Sequence, residues 1–235
     1  RRGGQARSQE RRGLLLVLTS ETVPRFDECR WGFPEAGDWA DDDIVAIGAD
    51  LGTQTLLYAY THGMFPMHID RLKQTLGWWS PRQRGVIPLD GFRVSRSMRR
   101  SARDFTVTFD TAFEEIVTLC GTTRRDGNWI TDDFVRAYVR LHTMGHASSV
   151  EVRDADGAIV GGLYGVRIDR FFAGESMFHL STDASKVAMM HLVDRLRSEG
   201  CRLLDTQWCT PHLASLGCVE VARPEYLRLL EAALY

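Results

Sequence analysis

The chain reads as an α+β protein, a small N-terminal domain followed by a mixed sheet domain flanked by helices. Three observations predict this. Strand-like segments run from residue 149 to residue 178, with Asp156-Gly157 as a hairpin turn between two of them. A helix-periodic stretch over 182–199 then separates these from a further apolar run at 203–208, so a helix crosses between strands. Upstream of residue 83, aromatic- and Pro-rich segments replace any long regular periodicity.

Taken in order, residues 1–12 carry five Arg, two Gly and no large apolar side chain, and residues 1–19 read as a disordered extension. Residues 20–82 form the small domain. It starts acidic and irregular, with Asp41-Asp42-Asp43 before Ile44-Val45-Ala46. A short helix follows, capped by Thr53 and ended by Gly63. Gly63-Met64-Phe65-Pro66 and the Gly77-Trp78-Trp79-Ser80-Pro81 turn cannot be regular helix and are expected to wrap a surface.

Residues 83–235 form the sheet domain. Asp110 is placed to cap a helix carrying Phe113, Ile116, Val117 and Cys120. Thr131 is placed to cap a second, with Phe134, Tyr138 and Leu141 as its apolar stripe and Gly145 as its end. Residues 149–153, 159–168 and 171–178 are strands, the last two joined at Asp169-Arg170. In the crossover helix, Met189, Leu192, Val193 and Leu196 repeat at i, i+3, i+4 and i+7, and Gly200 closes it. No internal repeat is evident.

With 235 residues and 44% hydrophobic content, the chain can bury one large core or two unequal ones. No apolar run approaches the roughly 20 residues that span a bilayer. The run from Leu14 to Leu18 follows Arg11-Arg12 but is too short for a secretory signal and lacks a small-residue cleavage site. A cytoplasmic location is expected. The net charge of −2 advertises no nucleic-acid partner in bulk. Five scattered cysteines (Cys29, Cys120, Cys201, Cys209 and Cys218) read as reduced thiols. Cys209 and His212 match no common zinc spacing, so no metal is expected.

Three groups of residues could carry chemistry. Arg96, Arg99, Arg100 and Arg103 share one face at helical spacing, with Arg93 just before them. Such a stripe suits phosphates, although a solvated helix face is the plainer reading. Trp79 and Trp129, in Gly- or Ser-containing loops, could stack on unpaired bases or be boundary aromatics. Gly161, Gly162 and Gly165 fall within one strand and mark close approach by a ligand, a bulge or tight helix packing. Glu175 lies inside an apolar strand, where an unpaired charge costs several kcal/mol. Asp205 and Gln207, two apart on a strand at 203–208, project from the same face as each other. The three converge either as a small-molecule site or as a buried hydrogen-bonded network.

The run Phe172-Ala173-Gly174-Glu175-Ser176-Met177-Phe178, then Ala184-Ser185-Lys186, Asp205-Thr206-Gln207 and His212-Leu213-Ala214-Ser215-Leu216-Gly217 resembles the leucyl/phenylalanyl-tRNA–protein transferases. So do Gly63-Met64-Phe65-Pro66, Trp78-Trp79-Ser80-Pro81, Ser95-Arg96-Ser97-Met98-Arg99-Arg100, Trp129-Ile130-Thr131, Ser149-Val150-Glu151-Val152 and Gly161-Gly162-Leu163-Tyr164-Gly165-Val166. The motifs keep the family's order from about residue 44 to Tyr226.

The resemblance implies an acetyltransferase-like (GNAT-type) larger domain. It implies an enzyme that moves Leu, Phe or Met from aminoacyl-tRNA onto proteins beginning with Arg or Lys, marking them for N-degron degradation. No cofactor is implied. Asp205 and Gln207 match the pair proposed to assist attack by the acceptor amine, and Glu175 matches an active-site carboxylate. Leu163, Phe172, Met177, Leu192 and Leu204 match the aminoacyl side-chain pocket. Trp129 matches an aromatic that handles the tRNA's terminal adenosine.

Two departures stand out. Met67 occupies a position where relatives usually carry Trp, so that stacking surface is lost or supplied by Trp79, and Gly48-Ala49-Asp50-Leu51 replaces Gly-Gly-Asp-Leu. On this reading Gln207 orients the amine and Asp205 polarises the network and helps remove its proton. Glu175 and Asp205 also suit the acceptor's cationic side chain. An acetyl-CoA-dependent acetyltransferase is the main rival. The stretch His179-Leu180-Ser181-Thr182-Asp183-Ala184 has none of the glycines of a pyrophosphate loop, and Asp183 would repel phosphate. A non-catalytic tRNA-binding module would leave Glu175, Asp205 and Gln207 idle.

Overall fold

A computed structural model describes residues 29–69, 75–123 and 129–235. The strands and helices follow in the order β1 (Ile44–Ile47), α1 (Thr53–Thr61), β2 (Phe65–His68), β3 (Leu76–Trp79), β4 (Gln83–Ile87), α2 (Arg96–Ser101), β5 (Thr106–Phe109), α3 (Phe113–Thr122) and α4 (Asp132–Thr143). Then come β6 (Ala147–Arg153), β7 (Ile159–Ile168), β8 (Phe171–His179), α5 (Ala184–Ser198), β9 (Leu203–Gln207), α6 (Pro211–Ser215), β10 (Val219–Ala222) and α7 (Arg223–Leu234). A three-stranded sheet has the order β1-β3-β2, and a seven-stranded sheet has the order β10-β4-β9-β8-β7-β6-β5. The predicted α+β class, with a small N-terminal part and a mixed sheet flanked by helices, is what the structure shows.

All pairs in the large sheet are antiparallel except β8 with β9. That parallel pair arises because α5 carries the chain across before β9 returns, as a crossover connection requires. It is short. Phe171, Phe172 and Ala173 pair with Leu203, Leu204 and Asp205, and beyond them the two strands share no register. A second irregularity sits beside the first. Between β7 and β8, Tyr164 faces Ser176 but Gly165 faces Gly174, leaving Glu175 as the extra residue of a bulge.

Two apolar clusters cover the faces of the sheet. One joins Leu56, Tyr60, Phe65 and Trp78 of the N-terminal part to Phe113, Tyr138, Tyr164, Phe171 and Tyr226. The other packs Met189, Leu192, Val193 and Leu196 of α5 on Leu163, Phe172 and Leu204. The N-terminal segment therefore shares its core with one face of the large sheet.

Several local expectations need correction. Gly52, not Thr53, is the N-cap of α1, and Asp50 accepts hydrogen bonds from Gly52 N at 2.9 Å and Thr55 Oγ1 at 2.8 Å. Asp110 does not cap α3; it has φ of +60° and accepts from Ser148 Oγ, Ser149 N and Arg195 Nη1. The aromatic- and Pro-rich segments form β2 and β3 rather than irregular wraps. α2 holds Arg96, Arg99 and Arg100 but ends at Ser101, so Arg103 lies in the 3-10 turn that follows rather than on the same helix.

The glycine strand β7 is explained by packing. A Cβ on Gly161 would lie 2.5 Å from Ala184 Cβ of α5, and one on Gly162 would lie 2.6 Å from Ile116 Cδ1 of α3. A Cβ on Gly165 would lie 2.2 Å from the Ala173 carbonyl oxygen and 2.5 Å from Phe172 Cε1. The close neighbours are protein on both faces. Gly165→Ala is expected to lower stability by about 1–3 kcal/mol, as other overpacked cores do. Urea denaturation checks this; a midpoint equal to that of the parent would show that β8 yields freely there.

Candidate active site

Every donor and acceptor around Asp205 is accounted for inside the protein. Asp205 is fully buried on β9, and Arg84 on β4 is 1% exposed. Arg84 Nε and Nη2 donate to Asp205 Oδ1 and Oδ2 at 2.9 and 2.7 Å, a two-pronged pair. Tyr226 Oη of α7 donates to Oδ2 at 2.9 Å, and the backbone N–H of Gln207 donates to Oδ1 at 2.8 Å. A carboxylate offers about four lone-pair sites, and all are taken. Arg84 Nη1 also donates to the Gly63 carbonyl at 3.1 Å, and the guanidinium lies over the rings of Phe65 and Tyr226. Burial alone would lower the Arg84 pKa, but the adjoining Asp205 carboxylate holds it above its ordinary value. Asp205 is therefore placed neither to take a proton from a substrate amine nor to meet an acceptor's cation, contrary to expectation.

Its effect passes through Gln207. That residue has φ of +65°, in the left-handed region, which costs a non-glycine residue about 1–3 kcal/mol. The Asp205 Oδ1 bond to Gln207 N holds the backbone there. The bend ends β9 and aims the side chain across the gap, where Gln207 Nε2 donates to Glu175 Oε1 at 3.0 Å. Tyr138 Oη of α4 donates to Glu175 Oε2 at 2.9 Å, and Tyr60 Oη lies 2.7 Å from Tyr138 Oη. Burial raises the Glu175 carboxyl to about 7; the tyrosine hydroxyls and Arg84 pull it down, and the Asp205 charge pushes it up. The same burial and the Glu175 charge raise Tyr60 and Tyr138.

A cavity of about 210 Å³ opens where β8 and β9 part. It is smaller than the roughly 300 Å³ at which drug-sized sites begin, which suits one amino-acid side chain. Leu163, Met177, Met189, Leu192 and Leu213 supply its apolar wall. Glu175, Ser176, Gln207 and Thr210 supply polar groups, and Met67, Trp129 and Trp208 also line it.

Of the sequence-predicted residues, Glu175, Gln207, Leu163, Met177, Leu192 and Trp129 meet at this cavity. Phe172 and Leu204 do not line it; they pair across β8 and β9 and are buried in the second apolar cluster. Trp79 does not line it either, since its Nε1 donates to the Met67 carbonyl and its ring meets Trp208 edge-on at 5.9 Å. Arg93, Arg96, Arg99, Arg100 and Arg103 are all exposed and away from the cavity lining. Sequence reasoning missed Arg84, Tyr226, Tyr60, Tyr138, Met189, Ser176 and Trp208. Met189 was available from the helix spacing that gave Leu192. Arg84, 121 positions from its partner, left no local signal.

Among the described residues, no group of His, Cys, Asp or Glu side chains is placed to hold a metal ion. At the start of α5, Asp183 accepts from Lys186 Nζ at 2.7 Å and from Ser101 Oγ at 3.2 Å.

The family model for leucyl/phenylalanyl-tRNA protein transferase matches residues 86–231, and the model for the N-terminal domain of that family matches residues 49–82. The chain belongs to this family. A leucyl/phenylalanyl-tRNA–protein transferase of Cereibacter sphaeroides is 51% identical over 186 residues, covering 78% of this chain and 86% of the relative. One from Pseudoalteromonas atlantica is 46% identical over 195 residues, covering 81% and 82%. One from Flavobacterium psychrophilum is 43% identical over 204 residues, covering 85% and 95%. A solved GCN5-related N-acetyltransferase from Kribbella flavida overlaps at a TM-score of 0.37, 14% identical, covering 71% of this chain and 60% of that one.

Two outcomes follow for this transferase-family site. Arg84→Met leaves the Asp205 charge buried and unpaired, so unfolding free energy should fall by about 3–5 kcal/mol. A denaturant midpoint near that of the parent would show the pair is not structural. For Glu175 the folded carboxyl sits above its ordinary 4.5, so the folded protein holds a proton that the unfolded chain releases. Its contribution is complete below about pH 4.5 and is lost as pH rises through about 7. Glu175→Gln should therefore gain stability relative to the parent between pH 5 and 8, roughly. Denaturation at both ends measures it, and a constant difference would contradict the raised carboxyl.

Proposed function

We propose that this chain transfers leucine or phenylalanine, and also methionine, from aminoacyl-tRNA to the N-terminus of an acceptor protein that begins with Arg or Lys. The observation that carries the reading is the apolar cavity with a Glu175–Gln207 pair at its polar side. The apolar wall suits an unbranched or γ-branched hydrophobic side chain. Size and apolarity discriminate single methylenes by only about 1–3 kcal/mol, so several donors can share the pocket. The product is a protein with a new hydrophobic N-terminus, which suits a role in N-degron degradation.

The reaction is aminolysis of an activated ester. The nucleophile, an α-amino group, has a reference pKa of about 7.7–8.0, close to that of Glu175. Glu175 in its carboxylate form takes the proton that the amine gives up. Gln207 spends its N–H on Glu175, which leaves its carbonyl oxygen to orient the incoming amine. Asp205 is a positioning residue. Glu175 is also the anionic group at the cavity available to an acceptor's cationic side chain.

We further propose that Trp129, at the cavity, stacks the terminal adenosine, with Trp208 supplying surface beside Met67. The exposed Arg93, Arg96, Arg99, Arg100 and Arg103 would hold tRNA phosphates. Residues 83–235 would act as the catalytic part, with residues 20–82 contributing Tyr60 and Met67 to the site. No described helix is long and apolar enough to cross a membrane, and a charged tRNA is a cytoplasmic substrate. The acetyl-CoA reading is disfavoured because the Asp183 carboxylate already stands where pyrophosphate would meet the start of α5.

The test is transfer of labelled leucine from charged tRNA to a peptide beginning with Arg, beside the same peptide with its N-terminus acetylated. Product should form on the free peptide alone, and its rate should rise as pH passes through about 7. Equal labelling of both peptides, or labelling from acetyl-CoA, would replace this reading.

A further inference from the structure

Ser176 Oγ is buried and has no hydrogen-bond partner among the described residues. The residue is 8% exposed and lines the cavity. A buried hydroxyl left unpaired is destabilising, so it calls for a reason. Several of the polar side chains around it have partners in the protein. Tyr138 Oη donates to Glu175, and Gln207 Nε2 donates to the same carboxylate. Thr206 Oγ1 lies 3.3 Å from Cys218 Sγ, and Thr210 Oγ1 accepts from Leu213 N.

Glu175 and Ser176, adjacent at the bulge in β8, both line the cavity. The chain thus sets an acceptor-rich carboxylate beside a free O–H donor. Aminolysis of an ester in this cavity brings together two polar groups of opposite need. The attacking amine is a donor and finds the Glu175 carboxylate and the Gln207 carbonyl. The ester carbonyl oxygen is an acceptor, which neither of those satisfies.

We propose that Ser176 is a catalytic residue whose hydroxyl donates to the ester carbonyl oxygen and holds the oxyanion formed on it. This inference rests on the aminoacyl-transfer reading above. As the amine nitrogen's electron pair forms the C–N bond, the carbonyl π pair moves onto that oxygen, where Ser176 Oγ–H meets it. Collapse reforms the carbonyl and expels the ribose oxygen, which leaves with the proton that Glu175 took from the amine. Ser176 itself neither gains nor loses a proton, and no covalent link to it forms.

The experiment compares Ser176→Ala with the parent in three measurements. Thermal unfolding of the free protein should be unchanged or raised in the variant, because a hydroxyl without a partner is being removed. Leucine transfer to the Arg peptide should lose about 10²-fold in kcat with little change in KM for charged tRNA, the scale of losing one oxyanion donor. A leucine phosphonate ester of adenosine, tetrahedral and anionic at the reacting centre, should bind the variant more weakly by a similar factor, while the planar leucine amide of adenosine binds both proteins equally. A parent that transfers leucine alongside a variant with equal kcat and equal phosphonate affinity overturns the role of Ser176 and leaves the transfer reading standing. A lowered melting temperature with a kcat loss in proportion would make Ser176 structural and overturn it too. A parent that transfers nothing and ignores both adenosine ligands overturns the two readings together.

Discussion

The ion pair of Arg84 and Asp205 is the constraint on which the site depends. Taking both charges out of water costs several kcal/mol per ion, which only close geometry and full hydrogen bonding can offset. Here both conditions hold. Two parallel N–H bonds, a tyrosine hydroxyl and a backbone N–H saturate the carboxylate, and the guanidinium lies between two aromatic rings. A pair so enclosed adds little net stability over an apolar substitute of equal volume. What it supplies is position. It ties β4 to β9 and α7, reaches the turn after α1 through the Gly63 carbonyl, and holds Gln207 in a backbone conformation that its own side chain disfavours.

From that position the cavity follows as a consequence of sheet topology. Strands β8 and β9 are parallel neighbours for three residue pairs only, the last being Ala173 with Asp205, and β9 ends two residues later at the left-handed turn of Gln207. On the other strand, the bulge at Glu175 turns β8 as well. Two departures from regular pairing, one on each side of the gap, open a space in a sheet that is otherwise closed by helices on both faces. The polar groups at the gap are the residues at the irregularities themselves. Backbone geometry and chemistry are therefore specified by the same few positions.

Much of this was legible in the sequence, and the reasons are local. The strands β6, β7 and β8 announce themselves through alternation and the Asp156-Gly157 turn, and α5 through its apolar spacing. A carboxylate in an apolar strand marked Glu175, because burial makes such a residue conspicuous wherever it falls. The strands β4, β5 and β10 were not legible. They are four or five residues long, and β4 carries an arginine where an apolar residue is expected. Arg84 reads locally as a surface charge; only the fold brings it to Asp205. The enclosure of Asp205 was hidden for a similar reason, since a spacing of two places Asp205 and Gln207 on one face but cannot show which is enclosed. The family resemblance assigns Phe172 and Leu204 to the pocket, yet they stand where the strands still pair, behind the opening.

The proton inventory of the site explains why the enclosed and the open carboxylate differ. Asp205 meets a full positive charge at bonding distance, whereas Glu175 meets only neutral donors and feels Arg84 from farther off. Burial is common to both, so the difference lies in the partner. The result is one carboxylate saturated by an ion pair and one, Glu175, whose proton affinity is raised by burial toward that of a peptide's α-amino group. In the transfer reaction proposed above, a proton would pass from amine to Glu175 with little free-energy cost in either direction. The separation also protects the arrangement. Asp205 is held by Arg84, Tyr226 and the Gln207 backbone N–H, none of which belongs to Glu175, so a change at the Glu175 carboxyl leaves those bonds in place.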